Sequence, residues 1–285
     1  MLKFSVIIPA FNREKTLEHT IYSLNEQVFK DFEILVVNDG SVDRTGEIAK
    51  NFAKQGIIRY YFQNNQGVSS ARNLGASKAQ TDWLLFLDSD DSLDPKAILE
   101  FDNFLKEIRS QPDAVFAGYV RVNSKTNEKN EYLPGEGNYS RLAGTFIIRK
   151  NVFDFLGGYD PLIKFGENTE FFHRFKLSNF SSLTLPKLTL VYNDHWEGGS
   201  NNLQNSTESI EYVLNKHGDT LSTKIKFLYR QILGVNYIRL RNFELAKKHL
   251  KEALKSKEAR FSTNLRLLIA YLPFLARIVY PKSVK

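Results

Sequence analysis

Residues 83–91 are Trp-Leu-Leu-Phe-Leu-Asp-Ser-Asp-Asp, an apolar run followed at once by three aspartates in four positions. A run that is apolar at every position, rather than at alternate ones, is typical of a strand with both faces covered by helices. Residues that follow such a strand lie at the edge of the sheet, where open parallel sheets bind their ligands. The stretch therefore predicts a buried strand that ends in a polar site.

Three earlier apolar runs alternate with helical patterns in the same way. The strands are predicted at Phe4–Ala10, Phe32–Asn38 and Ile57–Phe62, and the helices at Thr16–Gln27, Asp43–Lys54 and Ser69–Ala79. Repeated β-α-β units of this length imply a right-handed, doubly wound parallel sheet. The predicted fold class is therefore α/β, with a mostly parallel sheet, helices on both faces and a helical C-terminal extension.

The rhythm changes after about residue 114. Further strands are predicted at Ala114–Val122, Leu142–Arg149 and Leu183–Tyr192, with a helix at Gly166–Ser178, and from Glu208 onward the pattern is helical. We therefore predict one α/β domain over residues 1–205, with halves at 1–113 and 114–205. A separate helical region is predicted over residues 206–285.

Composition excludes several classes of protein. The chain has 285 residues, of which 42% are hydrophobic and 25% charged, values that argue against a disordered, collagenous or polytopic membrane protein. The absence of cysteine excludes disulfides, thiolate nucleophiles and zinc-thiolate sites. The N-terminal apolar run is too short for a secretory signal. These features predict a cytoplasmic protein.

Positive charge is concentrated at the C-terminal end. The net charge is +7, but residues 224–285 contain 15 Lys or Arg against 3 acidic residues, so the first 223 residues carry a net −5. Nucleic acid, an anionic membrane surface or a merely solvated pair of helices each explain such a region.

One uncharged stretch favours the membrane. Leu267–Ala276 lies between Arg266 and Arg277, is interrupted by Pro273, and is shorter than the roughly 20 apolar residues of a spanning helix. Such a segment suits a helix that lies in the headgroup plane, and no nucleic-acid-binding motif is present. We expect peripheral binding at the inner face of the membrane, with dimerisation through the helical region as an alternative.

Polar residues follow each of the first predicted strands. They include Pro9–Arg13 after the first strand, Asn38–Ser41 after the second and Asp88–Asp91 after the fourth. Asp39 alone is equally well explained by a turn. The aspartate cluster is harder to explain without a cation, because neighbouring carboxylates repel each other. Oxygen ligands without cysteine favour Mg²⁺ or Mn²⁺.

Four segments of the first hundred residues together resemble the successive signatures of family 2 glycosyltransferases. They are Ser5-Val-Ile-Ile-Pro-Ala-Phe-Asn12, Val36-Val-Asn-Asp-Gly-Ser41, Gly67-Val-Ser-Ser-Ala-Arg-Asn73 and Phe86-Leu-Asp-Ser-Asp-Asp91, in the order and spacing of that family. The resemblance continues to about residue 205. It implies a GT-A fold and an inverting transfer from a nucleotide sugar, usually a uridine diphosphate sugar, by an enzyme with a DxD motif.

The resemblance also assigns donor-binding residues. Pro9, Phe11 and Asn12 would cradle the nucleoside, with Phe11 packing on the base. Asp39 would accept a hydrogen bond from a base N–H, and Arg72 would lie near the base or the diphosphate.

Further assignments concern the metal. Asp88-Ser-Asp90 matches the DxD motif, so that Asp90 would ligate Mn²⁺ or Mg²⁺ and Asp88 would reach the ribose or a metal-bound water. His195 matches a histidine that often faces the metal or the diphosphate, although an ordinary loop histidine is the alternative.

The sequence departs from the family at the catalytic base. The family usually has Glu-Asp-x-Glu or Glu-Asp-x-Asp where this chain has Glu167-Asn168-Thr169-Glu170. An asparagine does not accept a proton near neutral pH. Glu167 and Glu170 share a helix face at this spacing, and either is a candidate base.

We therefore predict a metal-dependent inverting glycosyltransferase that acts on a glycan or lipid-linked acceptor. The alternative is a non-catalytic sugar-nucleotide-binding or scaffolding subunit of a glycan assembly complex, which the asparagine at the base position favours. A sugar-1-phosphate nucleotidyltransferase would need a glycine-rich loop after the first strand, and Pro9–Arg13 contains no glycine.

Overall fold

A computed structural model describes residues 2–123, 125–135, 140–194 and 202–282. The strands are β1 (Phe4–Ala10), β2 (Phe32–Asp39), β3 (Arg59–Gln63), β4 (Trp83–Phe86), β5 (Ser92–Leu93), β6 (Ala114–Asn123), β7 (Lys129–Tyr132), β8 (Phe146–Arg149) and β9 (Ser182–Asp194). The helices are α1 (Leu17–Asn25), α2 (Thr45–Lys54), α3 (Val68–Lys78), α4 (Ala97–Glu107), α5 (Lys150–Phe155), α6 (Glu167–Leu177), α7 (Leu203–His217), α8 (Thr223–Arg239), α9 (Phe243–Leu254), α10 (Phe261–Tyr271) and α11 (Pro273–Val279).

The strands form one sheet in the order β3-β2-β1-β4-β8-β6-β9-β5, and β7 pairs with β6. β3, β2, β1 and β4 are parallel. The chain moves outward from β1 to β3 and then returns to place β4 on the other side of β1, which makes the β1–β4 boundary the switch point of the sheet. Ligands of open α/β sheets bind in the crevice at such a point. The segments after β1 and β4 are therefore neighbours by topology.

The second half of the sheet is mixed. β8 is antiparallel to both of its neighbours, β4 and β6, whereas β6 and β9 are parallel. No helix lies between β6 and β8 in the described chain, and a connection without a crossover helix joins antiparallel strands. The predicted α/β class with a helical C-terminal region is confirmed, and its mostly parallel character comes from the first four strands.

Helices cover both faces of the sheet. One apolar cluster joins alternate residues of β1, such as Val6 and Ile8, to helices α1, α2 and α4. A second cluster joins Ile7 of the same strand and Phe86 of β4 to α3, α5 and α6. Successive side chains of a strand point to opposite faces, so a continuously apolar strand supplies both clusters. This explains why β1 is buried along its whole length.

The chain divides into two compact units. The first comprises Met1–Pro161 and Glu167–His195, and the second Leu162–Gly166 and Trp196–Lys285. The second unit has its own apolar cluster, built from α7 to α11 together with Ile163. The predicted boundaries at residues 113 and 205 remain predictions. None of the helices within the described ranges combines the length and apolar character needed to cross a bilayer.

Candidate active site

The loops that follow β1 and β2 are tied together by Asn12. Its backbone N–H donates to Ser41 Oγ at 3.0 Å, and its Oδ1 accepts from the Val42 N–H at 3.0 Å. Asn12 has a φ of 52°, a left-handed conformation that asparagine tolerates better than most residues. Pro9 is buried within β1, whereas the ring of Phe11 is 43% exposed. The structure therefore leaves Phe11 accessible beside a loop that is hydrogen-bonded to the segment after β2.

Asp39, the last residue of β2, is buried and holds the loop that follows β3. Its Oδ1 accepts hydrogen bonds from Gln63 Nε2 at 2.6 Å and from the Gln66 N–H at 2.8 Å. Its Oδ2 accepts from the Gly67 N–H at 2.8 Å, just before α3 begins. The carboxylate thus has a structural role in addition to the donor-binding role that the sequence predicts.

Arg72 of α3 joins two carboxylates that are distant in sequence. Its Nη2 donates to Asp88 Oδ1 at 2.6 Å and its Nη1 to Glu167 Oε1 at 2.7 Å. The Arg72 side chain is only 2% exposed. Because a guanidinium offers donors in a rigid planar fork, one side chain fixes both carboxylates at once.

The charge of Arg72 is stabilised by these two partners. Burial by itself lowers the pKa of Arg72, but the charges of Asp88 and Glu167 outweigh burial and raise the pKa above its ordinary value. The guanidinium also lies over the ring of Tyr159, with its central carbon 5.4 Å from the ring centroid. Its Nε has no hydrogen-bond partner among the described residues. Arg72 is therefore a permanent buried cation at this edge of the sheet.

The aspartates after β4 do not act as one group. Asp88 is 39% exposed and contacts Arg72; Asp90 is 23% exposed and lies 3.5 Å from Nε of Arg13. Asp91 is instead buried, and its Oδ1 accepts from the N–H of Asn193 on β9 at 2.9 Å. Burial first, and then the charges of its two neighbours, raise the pKa of Asp91 to about 9. The expectation that all three aspartates share a cation is wrong for Asp91, because its carboxyl group faces the protein.

Asp88 and Asp90 fit a divalent cation. Both side chains are partly exposed, and Mg²⁺ is commonly bound by one or two carboxylates together with substrate phosphates. Within the described ranges, no group of three or more His, Cys, Asp or Glu residues is arranged to hold a metal by itself. Because Mg²⁺ takes octahedral coordination, Asp88 and Asp90 alone would leave positions open for further ligands.

The two candidate bases occupy different environments. Glu167 is the first residue of α6, and its side chain is 14% exposed in contact with Arg72. Glu170 is 1% exposed, and its carboxylate accepts three hydrogen bonds from Arg174, at 2.8 to 3.1 Å. Arg174 also donates to the backbone carbonyls of Leu156 and Gly158. Arg174 therefore anchors α6 to the turn after α5, and Glu170 holds Arg174 in place.

A second set of contacts surrounds Tyr159, a residue outside all of the sequence motifs. The Tyr159 hydroxyl donates to Asn168 Oδ1 at 2.7 Å. The Asn73 side chain donates to the Tyr159 carbonyl and accepts from its N–H, both at 2.8 Å. Burial raises the pKa of Tyr159 above its ordinary value, so that the hydroxyl stays protonated. No local pattern reveals this role, because the partners are 86 and 9 residues away.

The structure thus brings Arg72, Asp88 and Glu167 into direct contact. It places Phe11 and Asn12 after β1 and Asp39 at the end of β2. Glu170 is not part of the contact among Arg72, Asp88 and Glu167, because it pairs with Arg174. The predicted metal-facing residue His195 lies outside the described residues.

Relatives of known sequence support one family. The profile of Glycosyl transferase family 2 matches residues 5–164, more than half of the chain. Glycosyltransferase GlyA of Streptococcus pneumoniae serotype 4 is 31% identical over 153 residues, which are 53% of this chain and 22% of that protein. Cholesterol galactosyltransferase of Borreliella burgdorferi is 41% identical over 152 residues, which are 53% of this chain and 42% of that protein. The matches thus span less than half of each of these two relatives.

Solved structures share the fold over nearly the whole chain. S. aureus TarS 1-349 in complex with UDP-GlcNAc is similar with a TM-score of 0.63 and 19% identity, covering 97% of this chain and 88% of that one. The same protein in complex with UDP gives a TM-score of 0.60 and 18% identity, covering 98% and 91%. The predicted GT-A-like fold is therefore confirmed. Together with the profile match, the ordered motifs and the strand-end residues show that this chain belongs to glycosyl transferase family 2.

Proposed function

We propose that this chain is an inverting glycosyltransferase that moves a sugar from a nucleotide-sugar donor to a hydroxyl of a glycan or lipid-linked acceptor. The observation that carries the proposal is Arg72, which is buried and contacts both Asp88 and Glu167. This contact links a carboxylate at the carboxyl edge of the sheet to one in the segment where the family has its base. The complexes of S. aureus TarS with UDP and UDP-GlcNAc support a uridine diphosphate sugar as donor.

The donor nucleoside is proposed to bind beside the loops after β1 and β2. The exposed Phe11 ring offers a face for the base, while Pro9 and Asn12 shape the cradle. Asp39 already accepts three hydrogen bonds, but a carboxylate has about four acceptor sites. It can therefore still accept a base N–H. Arg72 contributes positive charge near the diphosphate.

Asp88 and Asp90 are the residues that would hold Mn²⁺ or Mg²⁺. A divalent cation there supplies positive charge opposite the departing diphosphate, where negative charge develops. His195 is part of this proposal as a third contact. Asp91 is excluded, because its carboxyl group is buried against Asn193.

Glu167 is the proposed base. As the acceptor oxygen forms its bond to the anomeric carbon, the carbon–oxygen bond to the diphosphate breaks and the acceptor proton passes to a Glu167 oxygen. Arg72 orients that carboxylate through the 2.7 Å contact. Glu170 is the weaker candidate, because proton transfer would require its release from the buried pair with Arg174.

Two matched substitutions test the assignment of the base. We expect Glu167→Gln to lower the rate of sugar transfer about 100-fold or more, as loss of a general base does. Glu170→Gln should instead lower the melting temperature and leave the turnover of the folded fraction close to wild type. Both rates are measured with purified protein, a panel of nucleotide sugars and Mn²⁺ or Mg²⁺. Unchanged turnover in Glu167→Gln would overturn the role of Glu167.

The second candidate function is a non-catalytic sugar-nucleotide-binding or scaffolding subunit. It is favoured by Asn168, which stands where the family usually has its base and is held by Tyr159. Asn168→Asp keeps the hydrogen-bond acceptor and adds a group that takes a proton. If the wild-type chain binds the donor without turnover and Asn168→Asp transfers the sugar, this second function is correct. Turnover by the wild-type chain excludes it.

The place of action that we propose is the cytoplasmic face of a membrane, where lipid-linked acceptors are found. The basic C-terminal region supports this placement, and no feature of the sequence favours a nucleic-acid partner. A homodimer through the same region is the competing arrangement.

A further inference from the structure

Helices α10 and α11 expose an unusual number of large apolar side chains. Phe261 is 83% exposed, Phe274 80%, Ile278 65% and Leu268 55%. The others are also exposed: Leu265, Tyr271, Leu272, Leu275 and Val279. We name these nine side chains the α10–α11 apolar face. A contiguous exposed apolar surface on a soluble protein marks an interaction site.

The exposed residues of α10 form a stripe and not a scatter. Phe261, Leu265 and Leu268 are spaced by four and three positions, which places them on one side of the helix. The opposite side is already used, since Thr263 and Ala270 are buried. The helix therefore has a second apolar side that its own unit does not cover.

Charge identifies the kind of partner. Residues 259–282 contain Arg260, Arg266, Arg277 and Lys282 and no acidic residue. Lys247 of α9 lies over the ring of Tyr271, with Nζ 5.0 Å from the centroid. Positive charge that surrounds an apolar stripe complements a layer of anionic headgroups above hydrocarbon. A protein surface that complements it would need matching acids, and this segment of the chain supplies none for a second copy.

We infer that the α10–α11 apolar face inserts into the headgroup region of an anionic bilayer, with both helices lying in the membrane plane. Phe261, Leu268 and Phe274 would enter the acyl boundary, while Arg260 and Arg277 meet lipid phosphates. The inference deepens the membrane-face part of the proposed function. It rests on the second unit alone and not on the catalytic residues.

Vesicle binding tests the inference with the full chain. The probes are vesicles of phosphatidylcholine alone and of equimolar phosphatidylcholine and phosphatidylglycerol, separated from free protein by sedimentation. We expect the wild-type chain to bind the anionic vesicles. The combined variant Phe261→Ser, Leu268→Ser and Phe274→Ser should have an apparent Kd for them that is at least about tenfold higher. Circular dichroism checks that the variant is folded, which is expected because all three side chains are exposed.

The control variant removes three exposed apolar side chains elsewhere. Val28, Leu133 and Phe155 of the first unit are 57%, 58% and 74% exposed, and their combined change to Ser should leave vesicle binding unchanged. Equal loss in both variants would overturn the inference. So would absence of wild-type binding to the anionic vesicles.

A label at a single position tests insertion directly, because the chain has no cysteine. An environment-sensitive fluorophore on Leu268→Cys should shift to the blue with anionic vesicles, whereas the same label on Phe155→Cys should not. Sedimentation velocity tests the competing occupant. A dimer that the triple serine variant dissociates, together with no blue shift, would assign the face to a second copy and overturn the inference.

Donor turnover with a soluble acceptor is measured in parallel on the same variants. A variant that loses vesicle binding but retains turnover shows that the α10–α11 apolar face acts separately from the proposed catalytic site. Absence of turnover while vesicle binding is retained would contradict the proposed catalytic function and leave the membrane inference intact.

Discussion

The hydroxyl of Tyr159 donates a hydrogen bond to Oδ1 of Asn168 across 2.7 Å. The guanidinium of Arg72 lies over the ring of the same tyrosine, and the Asn73 side chain forms hydrogen bonds with its backbone N–H and carbonyl. One buried residue therefore connects α3, which supplies Arg72, to the start of α6, which supplies Glu167. Its location makes the geometry of the proposed base depend on a side chain that contacts neither the proposed donor nor the proposed metal.

Removal of the hydroxyl tests this dependence. Tyr159→Phe keeps the ring beneath Arg72 but leaves Oδ1 of Asn168 without its donor. We expect a loss of about 1 kcal/mol in the free energy of unfolding, together with a lower kcat and little change in KM for the donor. Both are measured by urea unfolding and by steady-state transfer assays. A fall in stability with unchanged kcat would limit Tyr159 to a structural role.

We expect Arg72 to tolerate neither the loss of its positive charge nor the replacement of its guanidinium by another cationic group. Arg72→Lys retains one positive charge, but an ammonium group cannot span Asp88 and Glu167 as the planar fork does. We expect a kcat about 100-fold lower, as for a misplaced catalytic group, with the chain still folded. Arg72→Leu should in addition lose about 3 kcal/mol of stability, at the lower end for a broken buried pair, because Asp88 is 39% exposed.

Comparison of these two variants tests whether Arg72 acts by positioning the two carboxylates. A Lys variant with wild-type kcat and a destabilised Leu variant would show that only the charge, and not the fork, is needed.

Two adjacent glycines provide a matched pair. Gly157 and Gly158 have φ values of 77° and 69°, so alanine is strained at either position. A Cβ at Gly158 would lie 2.6 Å from Asn73 Oδ1, whereas a Cβ at Gly157 meets nothing within 4 Å. We expect Gly158→Ala to lower the melting temperature and kcat clearly more than Gly157→Ala. Equal effects of the two variants would mean that backbone strain alone matters and that the Asn73 clamp does not.

His249 should make the stability of the second unit depend on pH. Its ring stacks on Tyr237 at 5.5 Å, and its nitrogens lie 2.9 Å from Arg230 and 3.2 Å from Glu211. Burial first, then the charges of Arg230 and Lys248, lower the pKa of His249 below its ordinary 6.5, and Glu211 only partly opposes them. The unfolded chain therefore takes up this proton at a higher pH than the folded chain does.

The stability that the neutral His249 contributes is consequently complete above about pH 6.5 and is lost as the pH falls below that value. Urea unfolding followed by circular dichroism between about pH 7.5 and pH 5 measures the change. In His249→Gln this part of the pH dependence should disappear. Identical pH slopes in the wild-type chain and the variant would assign the dependence to other groups.

The positions of the first strands along the chain could be predicted from residue patterns. β1 is predicted and observed at Phe4–Ala10, and β2 differs from its prediction by one residue. Local hydrophobicity suffices there because each strand is buried on both faces. The pattern also indicates that Asp39 and Asp88 follow strands that end at one edge. The two-residue strand β5 and the antiparallel pairing of β8 with both neighbours were not predictable, since they depend on partners far along the chain.

The tertiary structure sorts the candidate residues that sequence alone leaves equivalent. Asp88, Asp90 and Asp91 are alike in sequence, and so are Glu167 and Glu170 as acids of one helix. Asn193 of β9 turns Asp91 inward, and Arg174 withdraws Glu170. Arg72 alone selects Asp88 and Glu167. The pair of Glu170 and Arg174 has the i,i+4 spacing of one helix. No periodicity reveals the other contacts, because they join residues 16 to 102 positions apart.

Motif order, strand positions and charge distribution therefore follow from the amino-acid sequence, because each is a property of neighbours along the chain. Which carboxylates meet the buried guanidinium, which face the protein interior, and which apolar side of α10 remains uncovered follow only from folding. Chain folding sets these relationships by burial and by the pairing of distant polar groups, and the free energy of each depends on atoms that local sequence does not bring together.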